Sequence, residues 1–303
     1  MRIIILSRGL GLYSTQSLLR AGYRRGHEMD VVDHFHCSLL LEGQKRTMIY
    51  QGFPLDNVDA VIPRIGASVT YEGASVIRQF EGLNIYTLMR SDALLRARDK
   101  LRSLQLLAAA GIPVPKTFYL SRTQDLELMI SQIGGLPVVI KLLESTHGSG
   151  VILADRMDTV RSVIEALIRS RERVIVQEFI EESKGADIRA LLVGGQIVAT
   201  MKRQAMEGDF RSNLHRGATA RPEPLTEEEA IIVKHAARVM GLAVAGVDLL
   251  RSKNGPLVIE VNASPGLEGI ETTTGVDIAG KIIEYVETNA VKFQTNLLRR
   301  KSF

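Results

Sequence analysis

The chain has 303 residues, 45% apolar and 24% charged, with a formal net charge of +4 and one cysteine. That length accommodates about two or three domains with a substantial core, and the composition is that of a globular protein. Cys37 alone cannot form an internal disulfide, no apolar run is long enough to span a bilayer, and the mild charge identifies no nucleic-acid partner.

Met1 to Ser7 is too short for the apolar stretch of a signal peptide and reads as a first strand, so a cytoplasmic location is expected. The N-terminal third then alternates strand and helix patterns: strand Arg2–Ser7, helix Ser14–Arg25, strand Glu28–Val32, strand Ala60–Arg64, helix Ser68–Gly82 and strand Asn84–Leu88. This rhythm predicts parallel α/β structure. Gly9-Leu10-Gly11 follows the first strand, but the rest of a dinucleotide fingerprint is missing. His34 and His36 precede Cys37 and read as a surface turn rather than a metal cluster.

Ser91 to Ala110 predicts one long amphipathic helix carrying Arg96, Arg98, Lys100 and Arg102, stopped by Gly111 and Pro113. Leu136 to Leu143 is a buried-type strand interrupted by Lys141; the polar loop 144–150 and a strand Val151–Ala154 follow. An ammonium beside a glycine-containing loop suits phosphate oxygens, though a strand lysine that merely reaches solvent explains the pattern as well. Val174 to Ile180 is an apolar strand ending in polar groups; its edge suits an adenine ring, with Glu178 accepting from an amine or hydroxyl. Asp187 and Arg189 fall on one strand face, where an internal salt-bridged surface accounts for them without a ligand. Lys202, Arg203, Arg211 and Arg216 gather around the polar loop 207–217, and guanidinium groups suit bidentate phosphate or carboxylate recognition.

The most informative stretch is Gly255 to Gly266. Leu257 to Val261 is β-prone and apolar except for Glu260, and Glu260 and Asn262 project on one side. A second strand, Val244–Leu250, supplies Asp248, and the link 251–256 is short enough for a hairpin that brings Asp248 beside Glu260. Three oxygen ligands on a sheet suit magnesium beside a nucleotide triphosphate, while the alternative is the solvated face of an amphipathic hairpin. Burying an unpaired carboxylate in an apolar run is costly, which favours the metal or phosphate site.

In this order, Lys100, Lys141 and its loop, Gln177-Glu178, Asp187-Ile188-Arg189, Arg203, the loop from Gly208 to Gly217, Asp248 and Glu260-Val261-Asn262 resemble the ATP-grasp superfamily. Arg96-Ala97-Arg98-Asp99-Lys100, Phe210-Arg211-Ser212-Asn213-Leu214-His215-Arg216-Gly217 and the run from Val261 to Glu271 resemble, more narrowly, the RimK family of ribosomal protein glutamate ligases. The resemblance runs from the first strand to about residue 290. It implies an α/β (α+β) fold: an N-terminal α/β pre-ATP-grasp domain (1–96), two ATP-grasp subdomains (97–183 and 184–290) and a basic tail (291–303). It also implies ATP-dependent joining of free glutamate to the C-terminus of ribosomal small-subunit protein six through an acyl phosphate, with ADP and phosphate released.

Carried over by position, the resemblance gives Lys100 and Lys141 to the nucleotide phosphates, Glu178 and the Phe179 backbone to adenine, and Asp187 to ribose. Arg211, Ser212 and Asn213 are implied to contact the nucleotide, and Arg203 and Arg211 to stabilise phosphate and acyl-phosphate charge. Asp248, Glu260 and Asn262 are implied to hold two Mg2+ ions (with Mn2+ as an alternative metal), with Glu260 bridging. Ser264 to Gly266 is implied to frame the substrate, and no residue is assigned as general base. Ser145, His147, Met206 and Ala218 depart from the family pattern of glycine, glutamine, lysine and glycine, which bears on the loop over the nucleotide and on acidic-substrate affinity. Two other readings stand: the same chemistry with free glutamate or a pterin or deazaflavin coenzyme as acceptor, and a catalytically silent ATP-binding regulator. No direct nucleic-acid or membrane partner is expected, and a homo-oligomer stays open.

Overall fold

The computed structural model describes the chain except residues 122, 145–149, 215–216 and 302–303 and the side chains of residues 300–301. The N-terminal part comprises β1 (Arg2–Leu6), α1 (Tyr13–Arg24), β2 (Glu28–Val32), β3 (Cys37–Glu42), β4 (Lys45–Tyr50), β5 (Phe53–Pro54), β6 (Ala60–Pro63), α2 (Thr70–Gly82) and β7 (Tyr86–Thr87). Strands β2-β1-β6-β7 form a parallel sheet, as the alternating pattern predicts. Ile3 to Leu6 are fully buried because both faces of this sheet are covered. Ile4 and Leu6 enter one core with Ile77 and Phe80 of α2, and Ile3 and Ile5 enter a second with Leu18 of α1 and Ile282 and Ile283 near the C-terminus.

The antiparallel sheet β3-β4-β5 is not among the elements expected from the sequence; its outward Leu39, Leu40 and Leu41 break the alternation of apolar and polar residues. One local expectation is corrected here. His34 is not on a surface turn: it sits in a short 3-10 helix, 2% exposed, with both ring nitrogens buried and unpartnered among the described residues. His36 is exposed.

The expected helix from Ser91 to Ala110 is two helices, α3 (Ser91–Arg98) and α4 (Lys100–Ala109). Asp99 between them is extended (φ −84°, ψ 99°) and its side chain accepts from the Arg102 N–H, capping α4. Residues two apart in an unbroken helix face different sides, so the break is what lets Arg98 and Lys100 both feel Glu260.

Next come β8 (Thr117–Leu120), α5 (Leu126–Gln132), β9 (Val138–Leu142), β10 (Val151–Ala154), α6 (Met157–Arg169) and β11 (Val174–Glu178). They form an antiparallel sheet, order β10-β9-β11-β8, whose core of Leu126, Ile140, Val160, Ile164 and Val176 is separate from the other two. The rest of the chain is β12 (Ala186–Val193), β13 (Gln196–Gln204), β14 (Thr219–Pro222), α7 (Glu227–Met240), β15 (Val244–Ser252), β16 (Gly255–Asn262), α8 (Glu268–Thr274) and α9 (Ile278–Lys301). Its antiparallel sheet has the order β14-β13-β12-β15-β16. A Thr226–Glu229 capping box starts α7, and Gly241 in the left-handed region (φ 70°) ends it.

Both large cores run from the parallel sheet into this third sheet, through Ile188, Val247 and Val261 on one side and Leu191 and Met201 on the other. The parallel and third sheets are thereby fixed to each other, while the second sheet keeps its own core. Residues 291–301 continue α9 without a break, and Phe293 meets Tyr86 edge-on at 6.0 Å. Among the described residues no helix is long and apolar enough to cross a membrane.

Candidate functional site

The β15–β16 hairpin pairs Asp248 directly with Glu260 and Gly246 with Asn262, with a bulge after Asp248. Across the sheet, Asp248 also faces Arg189 of β12, and Asp187 of β12 faces Arg203 of β13. Register therefore puts Asp187, Arg189, Arg203, Asp248 and Glu260 on one face of three adjoining strand pairs. Gly246 is required beside this turn, because a Cβ there would lie 2.8 Å from the Pro265 ring.

The charges on this face are tied together. Arg189 grips Asp248 with Nε to Oδ1 at 2.7 Å and Nη2 to Oδ2 at 2.5 Å. Arg203, 4% exposed, grips Asp187 with Nε to Oδ1 at 2.7 Å and Nη2 to Oδ2, and Nη2 also reaches Asp248 Oδ2 at 3.0 Å. Burial pushes the Asp248 carboxyl up, but the two guanidinium groups outweigh it and hold it below the ordinary range. Burial opposes the Arg203 charge as well, and Asp248 and Asp187 together raise its pKa above normal. The salt-bridged surface read from Asp187 and Arg189 is present, but each pairs across to a neighbouring strand: Asp187 with buried Arg203, and partly buried Arg189 with Asp248. Sequence reading missed that Arg189 clamps Asp248, and the i, i+2 spacing opposite β15 was the available signal.

Glu260 is exposed and lies in the field of three cations, Arg98, Lys100 and Lys141. Lys141 comes from β9, Lys100 from the start of α4, and Lys100 Nζ donates to the carbonyls of Leu142 at 3.2 Å and Leu143 at 3.1 Å. Burial depresses Lys141 to about 8; Glu260 raises it and Lys100 lowers it further. Lys100 is lowered by burial, with Glu260 opposing and Arg98 adding to the effect. The tertiary fold thus brings both sequence-predicted lysines to the acidic hairpin, Lys141 from a different sheet and Lys100 from the start of a helix.

At the end of β11, Glu178 Oε1 accepts the Lys116 N–H at 2.8 Å, and Phe179 packs edge-on to Phe210 at 6.2 Å. Asp209 holds Arg211 through Nε at 2.9 Å and Nη2 at 3.1 Å, and the Arg211 guanidinium lies 5.7 Å from the Phe210 ring centroid. Ser212 is buried and hydrogen-bonds to Asp187, joining this loop to the sheet-face charges. Asn213 is half-buried beside it. Arg203 and Arg211 are not adjacent partners: Arg203 is a strut within the sheet and Arg211 belongs to the loop. The loop around Ser145 and His147, together with His215 and Arg216, lies outside the described residues.

Residues 1–94 match the family model described as the RimK PreATP-grasp domain, and residues 97–286 that of the RimK-like ATP-grasp domain. The chain belongs to the RimK-like ATP-grasp family. This family member is 53% identical over 290 residues to the probable alpha-L-glutamate ligase of Vibrio atlanticus and 54% identical over 290 residues to that of Azotobacter vinelandii, with 96% of both chains covered in each case. Its fold is similar to the RimK domain protein ATP-grasp from Sphaerobacter thermophilus (TM-score 0.70, 23% identity, covering 94% and 99% of the two chains). It is also similar to D-alanine–D-alanine ligase from Bacillus anthracis complexed with ATP (0.68, 17%, 98% and 99%) and to the ATP-grasp ligase PsnB complexed with minimal precursor, Mg and ADP (0.74, 20%, 95% and 98%). This RimK-like chain is an enzyme, an ATP-grasp ligase.

The hairpin fits a hard dication held together with phosphates. Its donors are all oxygen, from two acids and one amide, and no group of three or more His, Cys, Asp or Glu converges among the described residues. Such a sparse set suits magnesium, which keeps several waters and shares substrate phosphates. Asp248 Oδ2 already takes Arg189, Arg203 and a 3.5 Å contact from Asn262 Nδ2, whereas Oδ1 takes only Arg189 and keeps acceptor capacity.

Proposed function

We propose that this enzyme adds glutamate to the C-terminal carboxylate of ribosomal small-subunit protein six, using ATP and an acyl-phosphate intermediate. The observation that carries the glutamate reading is more than 50% identity, over 96% of both chains, to proteins named probable alpha-L-glutamate ligase. The acceptor follows from the RimK resemblance, and the three cations that act on Glu260 support phosphate chemistry there. We divide the working unit at residues 97 and 184, so that ATP lies between the second and third sheets.

In this reading Lys100 and Lys141 hold phosphate oxygens, and Glu178 and the Phe179 backbone hold adenine. Asp187 faces the ribose, and Arg211, Ser212 and Asn213 close over the nucleotide. Asp248, Glu260 and Asn262 would hold Mg2+, two ions in the full form, with Mn2+ as a substitute. Bound there, the metal supplies Lewis-acid neutralisation of phosphate charge. The acceptor carboxylate oxygen attacks the γ-phosphorus and the bond to the β–γ bridging oxygen breaks, releasing ADP. The glutamate amine then attacks the acyl carbon, the C–N bond forms, phosphate leaves with its oxygen, and the amine loses a proton. In this reading Arg203, through the buried network, and Arg211, from the loop, stabilise the developing negative charge as fixed cations.

Lys141 gives this reading a pH signature. Its ammonium titrates at about 8, so kcat/KM for ATP is expected to fall as pH rises through about 8, when the free enzyme loses a phosphate-binding charge. Lys141→Arg should keep its charge and flatten that fall; a wild-type profile flat to pH 9.5 would detach Lys141 from phosphate binding. The stability sign runs the other way. Between about 8 and 10.5 the unfolded chain holds a proton that folded Lys141 has lost, so stability rises with pH there.

The deciding experiment is intact mass spectrometry of purified ribosomal small-subunit protein six after incubation with enzyme, ATP, magnesium and glutamate. ATP-dependent additions of glutamyl units are expected. An unmodified protein beside free glutamate oligomers would redirect the acceptor to a small molecule, and nucleotide binding with no product would favour a silent regulator.

A further inference from the structure

Three segments meet at the carboxyl edge of the parallel sheet: Arg64 just beyond β6, Arg98 at the end of α3, and the turn Ser264–Pro265 after β16. Arg64 Nη2 donates to the Pro265 carbonyl at 2.7 Å, and Arg98 Nη2 donates to the Ile65 carbonyl at 2.5 Å. Among the described residues neither guanidinium forms an ion pair with a carboxylate. Arg98 Nε and the Ser264 hydroxyl oxygen are buried and have no hydrogen-bond partner there.

Burial works against both arginines, and Arg64 also lies in the repulsive field of Arg98. The nearest opposite charges do not resolve this. Glu271 accepts from Ala279 N at 2.8 Å and Ser17 Oγ at 3.0 Å, and Glu260 faces the two lysines as well. Two desolvated like charges without a paired anion are expensive to keep, and an unpartnered buried hydroxyl adds to the cost. Open α/β sheets receive ligands at the carboxyl ends of their strands, where this group lies. Arg98 shares the field of Glu260 with Lys141 and Lys100, and Arg64 lies in the field of Arg98, so the arginines extend the proposed phosphate site toward the parallel sheet.

We infer that Arg64 and Arg98, with the Ser264 hydroxyl, form a carboxylate-recognition site that holds a non-reacting substrate carboxylate beside the reacting centre. The inference rests on the ligase reading above. In that reaction the incoming glutamate keeps both of its carboxylates free, and an acceptor ending in glutamate keeps its side-chain carboxylate. Either source presents the same planar group, which a guanidinium fork matches and an ammonium does not.

The test compares Arg64→Gln, Arg98→Gln, Arg64→Lys and Ser264→Ala with wild type in initial-rate ADP release, varying ATP, glutamate and acceptor separately. Glutamine and the α-amide of glutamate are used as neutral competitors for the amine site. Each Arg→Gln change should raise KM for a carboxylate substrate about 10- to 100-fold and leave KM for ATP in place, with Ser264→Ala milder. A rise for glutamate, with lost preference over one amide, assigns the incoming amino acid; a rise for the acceptor alone assigns that carboxylate. Unchanged KM values for both, or a rise for ATP alone, would overturn the site. If wild type used another amino acid, the glutamate reading would fail, and the same comparison with that amino acid and its amide would still decide on the arginines. Arg64→Lys keeps the charge and serves if the glutamine variant melts early: it should bind the carboxylate substrate less tightly than wild type, and wild-type KM would count against the site.

Discussion

Glu260→Gln is expected to cut the ligation rate by about 10²–10³-fold or more while leaving the fold intact. Glu260 is exposed on β16, so its replacement by an amide of the same shape empties no core position. What is lost is the carboxylate opposite Asp248, whose negative charge acts on Lys100, Lys141 and Arg98 together. Without it the three cations repel one another unopposed and Lys141 drops below its present value of about 8. Glutamate-dependent ADP release and product mass measure the first effect, and a melting midpoint near wild type shows that the fold persists. A folded variant that ligates near the wild-type rate would remove Glu260 from its proposed place in the site.

Arg203→Met is expected to destabilise the protein by about 3–5 kcal/mol, the cost of breaking a buried ion pair from one side. Arg203 is the only guanidinium paired to Asp187 among the described residues and one of two paired to Asp248. Removing it leaves Asp187 buried without a counter-ion, at 5% exposure, next to a second carboxylate. Asp187→Asn should cost less, because Arg203 keeps Asp248, and the double variant Arg203→Met with Asp187→Asn should recover part of the loss. Thermal or urea midpoints of the three variants check this. An unchanged midpoint for Arg203→Met would mean that the network stabilises nothing and serves only the ligands.

The fold was legible where one local rule decided it. Apolar runs such as Ile3 to Ile5 and the Leu257 to Val261 strand announce themselves by pattern, and the link 251–256 is short enough for the hairpin that forms. The stretch from Ser91 to Ala110 misled because helical periodicity continues across Asp99, and only the cap from Asp99 to Arg102 marks the break. His34 misled because two histidines beside polar neighbours look solvated, whereas packing beneath α2 buries the first of them.

In the site, residue types and order were readable, and partners were not. The sequence determined that Asp248 and Glu260 can share a hairpin, a matter of short-range spacing, and that Lys100, Lys141 and an arginine-rich loop precede it, a matter of order along the chain. Only the tertiary structure decided that Arg189 binds Asp248 rather than Asp187, that Lys141 comes to Glu260 from another sheet, and that Arg64 and Arg98 meet beside Ser264. Strand periodicity fixes which face a side chain takes, while inter-strand register and the docking of separate sheets fix what it meets there, and those depend on contacts far apart in the chain.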